Sequence, residues 1–418
     1  MKRALKILAM FALALVAARN QAQRSAQSVS GREQWVTSWG ASQQVPEPQN
    51  ALPADEMGDV TLRQIVHLSA GGDALRVYLS NAFGTQALHF TSVHVARALL
   101  PSSPAIDQST DRPLTFAGLS EVVVPPGAEF VSDPLEVRVA PLSNLAVTFH
   151  LDRAPDRETG HPGSRATSYY LPGDFVGAAN LPDAKQIEHW YQLAQIDVRS
   201  APGASSIVAL GDSITDGHGA TTNGNNRWTD VLAERLQAGL KTRNIGVSNQ
   251  GIGGNHLLTD GLGPNALARF DRDVLAPAGV RWVIVFEGVN DLGALAQRAD
   301  ASPGDHAAVV QRVIAAYQQM IVRAHAHGLR IYGATITPYV GSTYYHPGLL
   351  SEADRQAVNQ WIRAVGHFDA VIDFDAVVRD PQHPDQLLPG FDCSDHLHPS
   401  AAGYKAMGDS IALDLFAR

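Results

Sequence analysis

The hydrophobic period of the chain changes once, near Ser200, and that change limits the fold more than any other feature. Before it, from Trp35 to about Tyr170, the period is two. Leu62, Gln64, Val66 and Leu68 alternate with Arg63, Ile65 and His67, and Gly71-Gly72-Asp73 then leads into Leu75-Arg76-Val77-Tyr78-Leu79. That pattern predicts a hairpin. Further short strands are expected at 88–96, 121–124, 135–139 and 146–151, punctuated by Pro125-Pro126-Gly127 and Asp133-Pro134. Short strands at close spacing, cut by Gly and Pro, predict an all-β sandwich or jelly roll over 34–200.

After Ser200, strands alternate with helices. Apolar runs at 206–210, 245–249, 282–286, 330–334 and 370–374 are separated by helical stretches. One helix carries Trp228, Val231, Leu232, Leu236 and Leu240 on a face, others fall near 264–275 and 352–365, and a last one follows Pro399. The strongest runs from Asp305, a candidate cap, to His327, with Gly328 closing it. This alternation predicts a three-layer α/β/α domain with a parallel sheet over 201–418. In such sheets ligands bind at the carboxyl ends of the strands, so the chemistry is sought there.

The first residues are read apart from the fold. Lys2, Arg3 and Lys6 precede an apolar stretch at 7–18, too short to anchor in a bilayer, and Val16-Ala17-Ala18 and Gln21-Ala22 offer small residues for cleavage. A short buried helix is the alternative. The combination predicts a secretory signal at 1–22, a Gln- and Ser-rich linker at 23–33, and a periplasmic or secreted protein with no integral membrane segment left. With 41 acidic against 32 basic residues, net −9 and no basic run, the chain carries no electrostatic footprint for nucleic acid. Its one cysteine, Cys393, excludes an intramolecular disulfide and a Cys-rich zinc site.

Four strand ends hold polar residues. The first reads Gly211-Asp212-Ser213-Ile214-Thr215-Asp216-Gly217. A serine at a strand-to-helix turn exposes its hydroxyl, although alone it is equally an N-cap. Thr215 stands where the G-x-S-x-G elbow would need its second Gly. The second reads Asn249-Gln250-Gly251-Ile252-Gly253-Gly254-Asn255. His256 occupies the place of the third Gly of a dinucleotide motif, so the glycines are read as letting backbone N–H groups approach an anion. The third reads Glu287-Gly288-Val289-Asn290-Asp291, and a carboxamide there is either a turn residue or a donor to developing negative charge. The fourth is Asp392-Cys393-Ser394-Asp395-His396-Leu397-His398-Pro399. Asp three residues before His lets a carboxylate hold an imidazole. His396, His398 and a nearby Asp also suggest a metal, but no third ligand stands at convincing spacing.

Taken together and in this order, the four blocks resemble the SGNH (GDSL) hydrolase superfamily over about 200–418. The resemblance implies a flavodoxin-like domain and serine ester hydrolysis without metal or cofactor. It implies Ser213 as nucleophile, His398 as general base and Asp395 as its orienting acid. The oxyanion donors would be the Ser213 N–H, the Gly254 N–H and the Asn290 side chain, with Gly253 the competitor for the second place. Asn226-Arg227-Trp228, Ala268-Arg269-Phe270, Asn359-Gln360-Trp361-Ile362-Arg363 and Asp373-Phe374-Asp375 look like an exported bacterial subgroup, and residues 35–42 and 79–84 look like that subgroup's β-rich opening. Arg227, Glu287 and Asp375 are read as structural pairings in a charge-poor core. The expected substrate is an acylated small molecule or polysaccharide, most simply an acetylated carbohydrate. A short-chain aryl or lyso-lipid esterase is the alternative, and a noncatalytic glycan-binding protein a third reading. Tyr339, Tyr344 and Tyr345 could serve as a sugar platform beside that site or as part of a lid.

Overall fold

The computed structural model describes residues 34–417, so the expected signal at 1–22 and linker at 23–33 lie outside the described residues. Two antiparallel sheets make most of the first half, with a two-stranded ribbon of Gly160–His161 and Trp190–Tyr191 beside them. One orders strands Gln34–Gly40, Leu193–Ser200, Ala74–Ser80 and Glu129–Val131. The other is built on Val60–His67, Asn144–Leu151 and Leu88–Arg97, flanked by Ser168–Pro172 and Lys185–Ile187. Val36, Leu75, Val77, Ile196 and Val198 of the first sheet share one core with Leu62, Val66, Phe90, Val147 and Phe149 of the second. That is the packing of a β-sandwich.

The expected hairpin is corrected. Val60–His67 and Ala74–Ser80 lie in different sheets, and both edges of Val60–His67 are already paired with other strands. A two-residue hairpin turn would need positive φ, which neither Gly71 nor Gly72 has. The glycines serve close approach instead. A Cβ on Gly72 would lie 2.4 Å from the Arg199 carbonyl, and one on Gly71 would lie 2.8 Å from that of Val139. The expected strand at 135–139 makes only the isolated bridges Leu75 to Leu135 and Gly72 to Val139.

The second half carries a five-stranded parallel sheet in the order Ile245–Gly251, Ser205–Gly211, Val280–Phe286, Arg330–Ala334, Ala370–Ile372. Along strand Ser205–Gly211, Val208 and Leu210 enter one apolar layer, while Ile207 and Ala209 enter the other. Both faces are therefore buried, which is why the strand reads as an unbroken apolar run. Helices Val289–Ala296, Pro303–Ala326 and Leu349–Arg363 pack with the first layer, and Trp228–Ala238 and Ala401–Ser410 with the second. Ser302 rather than Asp305 caps the longest helix. Asp305 sits at its third position and returns a hydrogen bond to the Ser302 N–H at 2.9 Å. Leu240 lies past the end of its helix and is exposed. None of the helices among the described residues is long and apolar enough to cross a membrane.

The halves are joined along the sheet edge at Ile245–Gly251. The Ser69 hydroxyl of the sandwich accepts from the Val247 N–H at 2.8 Å, and the Thr37 N–H donates to Ser206 Oγ at 2.9 Å. Sheet order reverses on either side of Ser205–Gly211. The switch point, and with it the expected site, lies just past Gly211.

Candidate active site

Strand Ser205–Gly211 ends in a one-turn helix, Ser213–Asp216, whose start is capped by Asp212 accepting from the Ile214 N–H at 2.9 Å. Ser213 thereby stands at the first helical position, where a backbone N–H has no intrahelical partner. Its Oγ is 2.8 Å from His398 Nε2, and His398 Nδ1 is 2.6 Å from Asp395 Oδ2. Asp395 Oδ1 also accepts from the backbone N–H groups of Leu397 and His398 at 2.9 and 2.8 Å. Burial pushes the Asp395 carboxyl up, but the hydrogen bonds from the His398 ring and backbone outweigh it and hold the group below the usual carboxylate range.

His396 takes no part in this line. It adopts φ +60°, and its Nδ1 pairs with Asp392 Oδ2 at 2.8 Å on the outer side of the loop. Asp392 organises that loop, with Oδ1 accepting from the N–H groups of Ser394, Asp395 and His396. The sequence reading gave Asp392 no role, although Asp followed two residues later by Ser is a signature of such an Asx-turn.

The oxyanion candidates line the same cleft of about 590 Å³ as Ser213 and His398. The Gly253 N–H donates to Asp216 Oδ2 at 3.1 Å, whereas the N–H groups of Gly254 and Ser213 have no partner among the described residues. Gly254 has φ +68°, a left-handed conformation that favours glycine. Asn290, at the start of Val289–Ala296, donates one N–H to the Asn255 carbonyl at 2.6 Å and accepts from the Tyr345 hydroxyl at 2.5 Å. Its second N–H remains to donate. Sequence reasoning left Tyr345 to a sugar platform or a lid. The structure buries Tyr345 and Tyr339 and leaves Tyr344 exposed at the cleft.

Behind the cleft, Arg269 is fully buried and donates to the Gly211 carbonyl, the Gln250 carbonyl, Asn255 Oδ1, Asp273 and Glu287. It ties the ends of two strands to the loop beside Gly254. Burial, with Asp291 and Asp216 nearby, pushes the Asp212 carboxyl up to about 7, and burial raises Glu287 well above its ordinary value. Arg227 donates to the Asp216 carbonyl at 2.8 Å, and Asp375 pairs with Arg355 and Arg363 at 2.6 Å each. These are structural pairings, as the sequence suggested.

Two further residues escaped the sequence. His161, on the sandwich strand Gly160–His161, contacts Asp216 Oδ1 at 2.9 Å. His218 stacks 4.0 Å from the His398 ring, and burial with His398 and Arg165 lowers its pKa to about 4, so it stays neutral. His218, Cys393, Asp395 and His398 together form a donor set with ligand atoms within 4.8 Å of one another, but Asp395 and His398 are already bonded to each other.

Residues 209–406 match the GDSL-like Lipase/Acylhydrolase family. No curated protein matches the chain. Among solved structures, a putative lipolytic protein of the G-D-S-L family from Desulfitobacterium hafniense is 24% identical, with 49% of this chain and 97% of that one covered and a TM-score of 0.37. An acetyl xylan esterase, AlAXEase, is 20% identical, with 49% and 96% covered and a TM-score of 0.36. An aryl esterase from M. smegmatis is 17% identical, with 51% and 99% covered and a TM-score of 0.36. The match places the α/β domain, residues 209–406, with the GDSL-like lipase/acylhydrolase family, and the activity it carries is that of a carboxylic ester hydrolase.

Proposed function

We propose that the protein is an exported serine esterase that removes acetyl or other short acyl groups from carbohydrate. The observation that carries the serine mechanism is the continuous line from Ser213 Oγ through His398 to Asp395, at 2.8 and 2.6 Å. Ser213 attacks the acyl carbonyl as His398 Nε2 takes its proton, and Asp395 holds the ring in the tautomer that leaves Nε2 free to accept. The oxyanion forms against the N–H groups of Ser213 and Gly254 and the remaining N–H of Asn290, each worth roughly 3 kcal/mol in sites of this kind. His398 returns the proton to the leaving alcohol, then activates a water that cleaves the acyl-enzyme.

The cleft sets the apolar groups of Leu262, Leu397 and the rings of Tyr344 and Tyr345 beside polar ones from Ser342, Thr343 and Asn290, which suits a small acyl group on a polar alcohol. A lyso-lipid or aryl esterase is favoured by a different observation: Tyr344 stands exposed at the cleft, and Leu349 and Leu350, a few residues further along the chain, are exposed too. Acetate release from acetylated xylan, set against cleavage of p-nitrophenyl esters of increasing chain length, decides between the two. Ser213→Ala tests the mechanism. It should abolish p-nitrophenyl acetate turnover with the fold intact, and a serine-directed phosphonate should label the wild-type protein at Ser213 alone. Retained turnover in Ser213→Ala would end the serine reading. Export predicts a mature N-terminus between Arg19 and Gly31 on protein from the periplasm or medium, and an intracellular pool retaining Met1 would contradict it.

A further inference from the structure

The cleft does not end at Ser213. A second cavity of about 340 Å³ shares Arg165, His218, Gly253 and Leu262 with it and runs on toward the β-sandwich. Its far wall belongs to the sandwich and carries the polar groups of Gln44, Glu47, Gln49, Asn50 and His189. Both cavities fall within the size of small-ligand sites, roughly 300–1,000 Å³.

Chemistry fixes the hydrogen-bond roles on this wall. A carboxylate only accepts, so the carboxamide nitrogens of Gln44 and Asn50 are the groups that meet Glu47, at 3.2 and 2.7 Å. Both carboxamide oxygens are then acceptors with no partner among the described residues. His189 Nδ1 lies 2.7 Å from the Pro162 carbonyl and so carries the proton. Burial lowers the pKa of His189, which keeps the ring neutral and Nε2 an acceptor. The sandwich wall therefore offers three open acceptors beside the Glu47 carboxylate, with Asp216 a second acidic group across the cavity and Arg165 and the Gln49 carboxamide as donors.

An anionic headgroup would meet Glu47 and three acceptors. An acyl chain would find Leu262 and Pro162 as the apolar side chains among the lining residues. A partner rich in hydroxyl donors satisfies the wall. We infer that the β-sandwich forms the subsite for the alcohol part of the ester, and that this alcohol is a polyhydroxylated sugar residue. The inference rests on the serine esterase reading of the adjoining site. It gives the sandwich a direct part in substrate selection, and the buried contact between His161 and Asp216 keeps the two walls of the cleft in register.

The test uses wild type, His189→Phe and Asn50→Ala, each with p-nitrophenyl acetate and with acetylated xylo-oligosaccharide. The ratio of kcat/KM for the sugar ester over the aryl ester should fall on the order of tenfold in each variant, the worth of one or two lost hydrogen bonds. Unacetylated xylotriose should inhibit aryl ester cleavage competitively in the wild type, a readout that stands even if a variant fails to fold. An unchanged ratio in folded variants overturns the subsite. So does a wild type that cleaves p-nitrophenyl acetate through Ser213 yet neither cleaves the sugar ester nor is inhibited by xylotriose, and in that case the esterase reading survives. A wild type that cleaves neither ester removes both.

Discussion

His161 and Asp216 meet at 2.9 Å across the seam between the two halves, and both side chains are buried. The other ring nitrogen of His161 lies 2.8 Å from the Ser42 carbonyl. His161 therefore bridges the Ser42 carbonyl of the sandwich and the Asp216 carboxyl group of the helix that Ser213 begins. The second oxygen of Asp216 holds the Gly253 N–H, which sets the neighbouring Gly254 N–H facing the cleft.

His161→Ala should therefore lower both stability and turnover. Removing one partner of a buried hydrogen bond costs about 1–3 kcal/mol, because the other is left unsatisfied. On p-nitrophenyl acetate the loss should fall on kcat more than on KM, since it loosens an oxyanion donor. Thermal unfolding together with steady-state kinetics measures both. A variant as stable and as fast as the wild type would show that the contact does neither job.

The two histidines of the last loop should divide sharply. His398→Ala should cost roughly 10³ to 10⁶ in kcat, the scale for members of a triad. His396→Ala should cost far less, and Asp395→Asn should fall between. A larger loss at 396 than at 398 would contradict the geometry of the loop.

Tyr345→Phe should lower kcat about tenfold while leaving KM nearly unchanged, because Asn290 loses the hydrogen bond that fixes its carboxamide. Asn290→Ala should cost roughly 10² to 10³. If the tyrosine acts only through Asn290, the double variant should be no slower than Asn290→Ala alone. Additive losses would mean that Tyr345 works through some other group.

Asp212 should leave a mark on the pH dependence of stability. Its carboxyl is raised to about 7 in the folded protein, whereas the unfolded chain loses the same proton near pH 4. Between these values the unfolded state binds fewer protons, so this group's contribution is full below about pH 4 and is lost as pH rises to about 7, at up to about 1.4 kcal/mol per pH unit. Asp212→Asn keeps an oxygen to cap Ile214 and removes the titration. Urea midpoints at about pH 5 and about pH 7 should show the variant losing less stability than the wild type. Parallel changes in the two proteins would refute the assignment.

The sequence made the chemistry legible where it is local. Asp395 reaches His398 across three residues, and Ser213 and Asn290 each sit just past an apolar strand, so short blocks carried enough information. The preference for Gly254 over Gly253 comes with the family resemblance, but the difference between their N–H groups is not local: Asp216, some 37 residues away along the chain, takes the Gly253 N–H. His161 lies on a two-residue strand with no period to betray it. Tyr345 looked like its exposed neighbour Tyr344, because nothing in composition separates a ring on a surface from one folded back onto a carboxamide. The strands at 60–67 and 74–80 were found, but not their pairing. Glycines that permit close packing and glycines that turn a hairpin are spelled alike.

The single hydroxyl of Ser69 on Val247 carries a consequence for how far this enzyme can be pared down. The parallel sheet ends at Ile245–Gly251, and an edge strand is a template for any passing chain. Here a side chain from the sandwich stands in for a sixth strand. Chain topology divides the protein near Ser200, but solubility does not divide there. A polypeptide begun at Ala201 would carry every group of the Ser213 line and an uncovered edge, and it should self-associate more readily than the whole chain.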